Sequence, residues 1–593
     1  MSGITLKRIW ESAQAQGRAD FLVLPNRRYS FANACSTIMA VCAHYDGTGL
    51  EPGDRIVICS DNDFAVATAF LAAVLHGIVP TNLASGTPAA RGRRVIEELE
   101  AKLLVCDETV RAAWADSIPA LVTAGRRKRG WKPFRGNDTW PFETAAPDPV
   151  VPRLPDDNDA LAYILFTSGS ISSPAGVTLT LGNLLANIST VAGIIDLRPK
   201  DRMFNDLPMA HTDGLIHGPV SGFATCSTIV RAGGFQISRL EEWLNTVSRE
   251  SCTHVIAPPF IWSMVDRYAE HDDYFEGPEV RLLMSSAARF DPTLWRRLEE
   301  RFGHRFANEY GMTETVMAAF HAGPLDGMGA MGTIGLPVHC EAKLDIRDGD
   351  TGELLLKGPN ITPGYWRNPE RTASVFTDDG WFRTGDMARR REDGSYELVG
   401  RIKSMINSGG VRIHPDELNE ALESHESVLC AVTVGLPDPA FGEIAVTAVE
   451  LADTVAEADL INHARSLIEP AKVPKRVIAL QEIPRGDSGK PRLADLETML
   501  QDLLEKGGTG KAETTAADPV WDTIRTLAAE VFSCDPESLS PTSTQDDVEG
   551  WDSYSQLQLF ITVEAHFQVK LPTNKLTQMR SLADLGDAVK AAL

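Results

Sequence analysis

The sequence predicts a multidomain protein with three folded parts: a large α/β domain, a smaller α+β domain and an all-α domain of four helices. Three observations support this prediction. The chain has 593 residues, which is too long for a single hydrophobic core. Apolar, strand-like runs alternate with helical stretches up to about residue 400. Apolar periodicity then stops over residues 505–519, where glycine, threonine, alanine and charged residues predict a flexible linker.

The elements follow one another within these parts. In residues 1–400, strands are predicted from the runs DRIVICS, AKLLVCD, LAYILFTSG, THVIAPP and VRLLMSS. Residues 401–504 contain two more strand-like runs, VLCAVTVGL and EIAVTAVEL, and a helix with an acidic face, DELNEALESH. Residues 505–517 form the linker. Residues 518–593 show helical patterns over 521–532, from 553 onward and over 582–593.

The composition excludes several classes of protein. The chain is 43% hydrophobic and 23% charged, as in soluble globular proteins. Apolar runs stay well below the roughly 20 residues that span a bilayer, and the N-terminus lacks the apolar core of a signal peptide, so we expect a cytoplasmic protein with no membrane partner. A net charge of −24 argues against a nucleic-acid partner. The nine cysteines show neither disulfide nor zinc-site spacing.

Ser553 lies at the predicted start of an amphipathic helix, directly after Asp552. An Asp-Ser pair is an ordinary N-cap signal, but the unpaired N–H groups of such a turn also favour an anionic phosphate. From Asp518 onward the chain has 12 acidic and 5 basic side chains, which suits docking on a basic surface and equally suits solubility. The segment resembles the prosthetic-group site of acyl and peptidyl carrier domains, where the serine is esterified with 4′-phosphopantetheine.

Five blocks of residues precede this helix in a fixed order. They are LFTSGSISSPAGV, NEYGMTETVM, WFRTGDMARR, GRIKSMINSGGVRIHPDEL and IPRGDSGKPRL. In the first block Thr167, Ser168, Gly169 and Ser170 follow an apolar strand, so their hydroxyls and N–H groups are able to wrap a polyphosphate. Taken in this order, the blocks resemble the adenylate-forming superfamily of acyl-CoA synthetases, peptide-synthetase adenylation domains and firefly luciferase. The resemblance covers essentially residues 1–500.

The resemblance implies a catalytic role for Lys490, Thr313, Glu314 and His211, and it implies ATP and Mg²⁺ as cofactors. Attack of a carboxylate on the α-phosphorus brings anions together, so the transition state needs cations and hydrogen-bond donors. Lys490 matches the lysine that bridges the carboxylate and the α-phosphate. Glu314 matches the acidic residue that holds Mg²⁺, and Thr313 matches the hydroxyl that contacts the phosphate. A surface lysine and an N-cap pair are the structural alternatives.

Three further residues are implied in binding the nucleotide. Asp386 matches the aspartate that accepts both ribose hydroxyls, Arg401 an arginine that reaches the ribose or phosphate, and Tyr310 another ATP contact. The phosphate loop departs from the family pattern. It has Ile171 and Ser172 where Thr-Gly is usual, and it has Ala175 where lysine is usual. We expect weaker ATP binding from the lost cation.

Lys403 occupies the hinge position around which the family's small domain rotates between the two half-reactions. After this rotation the loop containing Gly409 and Gly410 would replace Lys490 and form the pantetheine tunnel. Glycines there let the backbone lie close to the thiol arm. A simple hairpin turn is the structural alternative.

The resemblance also implies an acyl pocket, formed by LPMAHTDGL and by the run that begins at Ser285. In that run Ser286 replaces a family glycine. The predicted lining residues are His211, Thr212, Asp213, Ser285, Ser286 and Gly311. His211 stands where α-amino-acid-activating relatives have an aromatic residue, as in acyl- and aryl-CoA ligases, and it either positions the carboxylate or is a core histidine. Thr212 replaces the aspartate of α-amino-acid-activating relatives, so α-amino acids are disfavoured. Asp213 either is solvated or caps a helix, or it points inward toward a displaced amine.

We therefore expect an AMP-forming acid–carrier protein ligase of the nonribosomal-peptide or natural-product type. It would activate a small carboxylic acid and transfer the acyl group to phosphopantetheine on Ser553. Its expected partners are a phosphopantetheinyl transferase and separate downstream synthase, condensation or tailoring enzymes. Two alternatives stay open: an acyl-CoA synthetase that uses free CoA, and a degenerate adenylation fold that serves as a carrier scaffold loaded in trans.

Overall fold

The computed structural model describes most of the chain. The described residues are 4–87, 89–114, 118–123, 140, 142, 148–166, 176–277, 279–288, 290–316, 319–323, 330–348, 350–402, 406–408, 411–438, 442–468, 472–485, 491–505, 519–532, 534, 536, 539–545, 548, 551, 553–567, 569, 571 and 581–592. A helix long and apolar enough to cross a membrane is not found among them.

The large domain alternates helices and strands, as its sequence predicts. Its first elements are α1 (Leu6–Gln16), β1 (Asp20–Leu24), β2 (Arg27–Ser30), α2 (Phe31–Gly47), β3 (Arg55–Cys59), α3 (Asp63–His76), β4 (Val79–Asn82), α4 (Ala89–Leu99), β5 (Leu103–Asp107), α5 (Glu108–Trp114), β6 (Ala120–Thr123), β7 (Leu161–Phe166), β8 (Gly176–Thr180), α6 (Leu181–Ile194) and β9 (Arg202–Asn205). These are followed by α7 (Thr212–Leu215), α8 (Ser221–Thr225), β10 (Thr228–Val230), α9 (Leu240–Arg249), β11 (His254–Ala257), α10 (Pro259–Tyr268), β12 (Leu282–Ser285), α11 (Pro292–Phe302), β13 (Phe306–Tyr310), β14 (Phe320–Ala322), β15 (Leu336–Pro337), β16 (Glu341–Asp348), β17 (Thr351–Lys357), β18 (Gly364–Tyr365), α12 (Pro369–Ser374), β19 (Phe382–Arg390) and β20 (Tyr396–Arg401).

The remaining elements belong to the two smaller parts. They are β21 (Ile406–Ser408), β22 (Val411–Ile413), α13 (Pro415–Glu423), β23 (Val428–Asp438), β24 (Gly442–Leu451), α14 (Glu457–Leu467), β25 (Arg476–Ala479), α15 (Leu493–Glu505), α16 (Pro519–Phe532), α17 (Ser553–Phe567) and α18 (Leu582–Ala592). The mixed fold class predicted from the sequence is confirmed. The predicted linker overlaps α15 by one residue, because Glu505 still ends that helix; residues 506–517 lie outside the described part of the chain.

The largest sheet has nine strands in the order β15-β14-β13-β12-β11-β9-β10-β1-β2. The six strands from β13 to β1 are parallel, and antiparallel strands flank them at both ends. Parallel neighbours need long crossover connections, which the helices of this domain supply. The carboxyl ends of the six parallel strands therefore lie along one edge of the sheet.

Helix α3 packs against α2 and against the parallel sheet β4-β3-β5-β6. Its residues from Phe64 to His76 are buried on every face, as expected for a helix that is apolar all round. The helix begins where the Asn62 side chain accepts a hydrogen bond from the Ala65 N–H. It ends at Gly77, whose φ of 81° is in the left-handed region that glycine tolerates.

The small domain is built on five strands, β22-β21-β24-β23 with β25 parallel beside β24. The antiparallel pair β23 and β24 comes from the two predicted runs, and Val434 lies opposite Val446. Leu496 and Leu500 of α15 pack on one apolar cluster of this sheet, and Leu460 of α14 packs on another.

The C-terminal part contains α16, α17 and α18 among its described residues. Its apolar interior is supplied by all three helices through Ile524, Ala528, Phe532, Leu559, Val563, Leu585 and Val589. The rings of Phe532 and Trp551 stack with centroids 4.7 Å apart. Helix α17 also packs against the turn Ile237–Arg239 of the large domain, and the apolar cluster continues from one domain into the other.

Candidate active site

Many of the predicted site residues collect at the carboxyl edge of the nine-stranded sheet. Strands β9, β12 and β13 are parallel and end at Asn205, Ser285 and Tyr310. Open α/β sheets bind ligands outside this edge, because the segments that follow the strands meet there. The residues placed in or after these strand ends are His211, Thr212, Asp213, Ser285, Ser286, Tyr310, Gly311, Thr313 and Glu314.

Asp386 is at the centre of a hydrogen-bonded group that joins the β19–β20 hairpin to β13. The Tyr310 hydroxyl donates to Asp386 Oδ2 at 2.6 Å, and Arg401 Nε lies 2.8 Å from Oδ1. Burial, followed by the Asp386 charge, raises the pKa of Tyr310 well above its usual range, so the phenol stays a hydrogen-bond donor. Each carboxylate oxygen retains a lone pair, so Asp386 is able to accept further donors such as ribose hydroxyls.

Glu314 is held by a tyrosine from a distant strand. The residues Thr313–Thr315 form one short helical turn, and the Glu314 side chain accepts a hydrogen bond from the Tyr365 hydroxyl at 2.8 Å. The Thr362 N–H also donates to the Glu314 carbonyl at 2.7 Å. Burial and the Glu314 charge raise the pKa of Tyr365, so this phenol also remains a donor.

A single carboxylate such as Glu314 fits a magnesium ion that is bound together with ATP. Mg²⁺ is usually held by one or two carboxylates together with substrate phosphates and water. In the described ranges, no group of three or more His, Cys, Asp or Glu side chains could hold a metal by itself. Glu314 would therefore supply one oxygen ligand while the nucleotide supplies others, and the ion would neutralise charge on the phosphates.

The predicted N-cap alternative for Thr313 is not what the structure shows. In this turn the Met312 N–H donates to Thr315 Oγ1 at 3.0 Å, so Thr315 closes the turn. The contact between Tyr365 and Glu314 was missed by sequence reasoning. The two residues lie 51 positions apart, and Tyr365 belongs to a two-residue strand, which is too short to leave a periodic pattern.

Asp213 points toward the end of β12. Its Oδ1 accepts a hydrogen bond from Ser286 Oγ at 2.9 Å, and its side chain is 21% exposed. Its carbonyl accepts from Asn205 Nδ2 at 2.8 Å, which ties α7 to the end of β9. Of the two alternatives for Asp213, the geometry favours the inward-pointing side chain.

The other pocket residues surround this pair. Thr212 is buried and Ser285 is fully buried, with a hydroxyl that lacks a hydrogen-bond partner among the described residues. His211 precedes α7 and makes no side-chain cap. Gly214 cannot carry a side chain, since a Cβ there would lie 2.2 Å from the Pro208 carbonyl oxygen. The turn is thus fixed closely enough to position Asp213.

Three buried residues that sequence reasoning missed form a series of neighbours that begins at Asp213. His217 is fully buried one helical turn after Asp213, with Nδ1 4.0 Å from Asp213 Oδ1 and Nε2 3.4 Å from Glu309 Oε1. Glu309 faces His321 directly across β13 and β14. The i, i+4 spacing of Asp213 and His217 was a usable signal for the first contact, whereas the others depend on strand pairing.

Several predicted site residues lie outside the described part of the chain, and their roles stay predictions. They are Thr167, Ser168, Gly169, Ser170, Lys403, Gly409, Gly410 and Lys490, together with the atypical loop positions Ile171, Ser172 and Ala175. Ser553 is the first residue of α17, as its sequence position predicts. Its modification stays a prediction.

Three models of known protein families match consecutive segments that together cover most of the chain. The model for AMP-binding enzymes matches residues 9–366, that for their C-terminal domain matches 417–490, and that for the phosphopantetheine attachment site matches 522–589. The fold and site are those of an ATP-dependent, AMP-forming ligase that carries a phosphopantetheine-binding domain. The chain belongs to the AMP-binding enzyme family.

Individual relatives agree with this assignment. The chain is 32% identical to a sulfoacetate–CoA ligase from Cupriavidus necator over 464 residues, covering 75% of this chain and 87% of the relative. It is 30% identical to an oxalate–CoA ligase from Arabidopsis thaliana, covering 77% and 90%. The ATP-bound structure of MatB from Rhodopseudomonas palustris shares the fold, with a TM-score of 0.75 at 24% identity over 84% of this chain and 99% of that one.

Proposed function

We propose that this protein activates a small carboxylic acid as an acyl adenylate and transfers the acyl group to a phosphopantetheine thiol on its own Ser553. In the first step an acid oxygen bonds to the α-phosphorus of ATP and pyrophosphate leaves. In the second step the thiolate sulfur bonds to the acyl carbon and AMP leaves. The thiol gives up its proton, so both steps balance without an oxidant or reductant.

The residues at the carboxyl edge of the sheet support the first step. The Asp386 carboxylate is held by Tyr310 and Arg401 and is free to orient a ribose. Glu314 is positioned by Tyr365 to hold Mg²⁺ against the phosphates. Because these groups are fixed before the substrate arrives, they stabilise the transition state without reorganising. Lys490 would add the cation that bridges the carboxylate and the α-phosphate.

One observation carries the second step: the carrier domain packs on the large domain of the same chain. Helix α17, which begins at Ser553, contacts the turn Ile237–Arg239. Burial raises the pKa of Tyr268, and the nearby charge of Glu564 on this helix also raises it. The turn Ile237–Arg239 follows strand β10, and Tyr268 ends the helix that follows strand β11. A tethered thiol also reaches an effective concentration on the order of millimolar.

Free CoA is the competing acceptor, because the relatives named above are CoA ligases and CoA carries the same thiol arm. The presence of a carrier domain favours transfer in cis, and it implies a phosphopantetheinyl transferase as partner. We further propose that separate synthase, condensation or tailoring enzymes of a natural-product pathway act on the loaded carrier.

Intact-protein mass spectrometry tests this proposal. The chain is treated with a phosphopantetheinyl transferase and CoA, which should add about 340 Da, and then with ATP, Mg²⁺ and a set of small acids. We expect the acyl mass on the wild-type protein and on Ser555→Ala, a control two residues along the same helix. Ser553→Ala should carry neither addition.

The alternatives give different results in the same experiment. Acyl-CoA formed at equal rates by the wild-type protein and by Ser553→Ala, with no acyl mass on the protein, would show that free CoA is the acceptor. Loading of the carrier only after a second adenylating enzyme is added, without pyrophosphate release by this chain, would show a scaffold loaded in trans.

A further inference from the structure

A mostly buried polar cluster includes the predicted acyl-pocket residues Asp213 and Ser286. It consists of Asp213, His217, Ser286 and Glu309, and we refer to it as the pocket-floor cluster. The first three residues are linked by the 2.9 Å hydrogen bond from Ser286 to Asp213 and the 4.0 Å approach of His217. Glu309 approaches the other side of His217 at 3.4 Å. Glu309 directly precedes Tyr310 in β13, where successive side chains point to opposite faces of the sheet.

The polar atoms of this cluster are not all satisfied by the protein. His217 is 0% exposed, yet neither of its ring nitrogens has a hydrogen-bond partner of good geometry in the described part of the chain. The same holds for Glu309 Oε2 and for the hydroxyl of neighbouring Ser285. Buried side-chain atoms of this kind nearly always have a partner, so these groups point to a bound molecule that supplies one.

The charge of the cluster indicates what that molecule brings. Asp213 and Glu309 supply two carboxylates, and within the described ranges neither of them forms an ion pair with a lysine or arginine. His321 faces Glu309, but burial lowers the pKa of His321, which therefore remains neutral at pH 7. The cluster therefore offers acceptors for a cationic group and lacks, in the described ranges, an ammonium or guanidinium partner of its own.

We propose that the pocket-floor cluster selects an acid that carries an ammonium group remote from its carboxylate. This inference rests on the proposed function, since it assigns a substrate class to the same pocket. An ammonium group donates three hydrogen bonds, and it supplies a positive charge to two carboxylates, of which Glu309 is buried and Asp213 is 21% exposed. A second anionic group, as in oxalate or sulfoacetate, would face Asp213 and Glu309 and be repelled. A methyl group would leave the polar atoms unpaired.

The test measures ATP-dependent pyrophosphate release by the full chain with acids of matched length. One series is propionate, β-alanine and malonate, and the next is butyrate, 4-aminobutyrate and succinate. We expect kcat/KM for the amino acid of at least one series to exceed that of its neutral and dianionic counterparts by tenfold or more. Glu309→Gln should lower the ratio of amino to neutral acid at least tenfold, and so should Asp213→Asn, while the exposed Glu276→Gln should keep the wild-type ratio.

A second readout does not depend on turnover. With AMP present, the favoured amino acid should raise the melting temperature of the large domain more than its neutral counterpart does, and Glu309→Gln should remove that difference. Preference for a dianionic or neutral acid, or an unchanged ratio in both carboxylate variants, would overturn the assignment. Pyrophosphate release with the expected ratio but without acyl transfer to Ser553 would overturn only the carrier step. If no acid caused pyrophosphate release, both the substrate assignment and the proposed function would be overturned.

Discussion

The substitution Tyr310→Phe tests the contribution of the Tyr310 hydroxyl apart from that of its ring. The substitution keeps the aromatic surface and removes one donor, the hydroxyl that lies 2.6 Å from Asp386 Oδ2. Both side chains are buried, and the acceptor is charged, so the lost hydrogen bond corresponds to about 1.5 to 3 kcal/mol. That range equals about 10- to 150-fold in a binding constant. Since Arg401 still holds the other oxygen at 2.8 Å, we expect about tenfold.

The assay is the ATP dependence of pyrophosphate release at saturating acid. Tyr310→Phe should raise the KM for ATP about tenfold, because Asp386 is no longer held in one orientation for the ribose. In an Asp386→Asn background the same substitution should have little further effect, since the hydroxyl acts through that carboxylate. Additive losses in the double variant, or an unchanged KM with an unchanged circular dichroism spectrum, would refute the reasoning.

Three further predictions follow from the structure and the sequence. Lys490→Ala should slow adenylation about 10²- to 10³-fold, because the transition state loses a preorganised cation. Transfer of the acyl group from supplied acyl-AMP should keep its rate. Equal loss in both half-reactions of a folded variant would contradict the two-pose mechanism. Tyr365→Phe should raise the Mg²⁺ concentration for half-maximal activity about tenfold, because the Glu314 carboxylate loses a donor, and an unchanged Mg²⁺ titration would contradict that role. Burial lowers the pKa of His254 and His321 in the folded protein, so the unfolded chain binds protons at a higher pH than the folded chain does. The melting temperature should therefore fall as the pH decreases below about 6.5. His254→Gln should make the melting temperature, measured by calorimetry, depend less on pH.

The strands and long helices were predictable because their patterns are local. Strand β23 contains the run VLCAVTVGL, and strand β24 contains EIAVTAVEL. Both runs are rich in β-branched residues, which fit the pleated surface of a sheet. The helix that begins at Ser553 was likewise visible from its apolar spacing. The nucleotide-binding and catalytic residues within the five short blocks could be named only because those blocks keep a family order. Their contacts could not be named, and the roles of those residues that lie outside the described ranges stay predictions.

Contacts between distant residues depend on sheet pairing, which a periodic pattern does not encode. Tyr310 and Asp386 are 76 residues apart, and they meet because β19 and β20 carry Asp386 and Arg401 past the end of β13. The sequence shows that a tyrosine, an aspartate and an arginine are present. It does not show that one carboxylate holds both donors, and that arrangement is what makes Asp386 rigid.

The pocket-floor cluster illustrates the same limit more sharply, because its composition depends on one register. Asn308, Glu309 and Tyr310 pair with Ala322, His321 and Phe320, and the Glu309 side chain lies on the face that meets His217. A slip of one residue would turn every side chain of β13 to the opposite face and place Tyr310 there instead. Asp386 would then lose its phenol donor, and His217 would lose the neighbouring Glu309 carboxylate. The register that orients Tyr310 toward the nucleotide residues is therefore the same register that makes the floor of the acyl pocket acidic, so changes to β13 pairing should alter ATP binding and acid selection together.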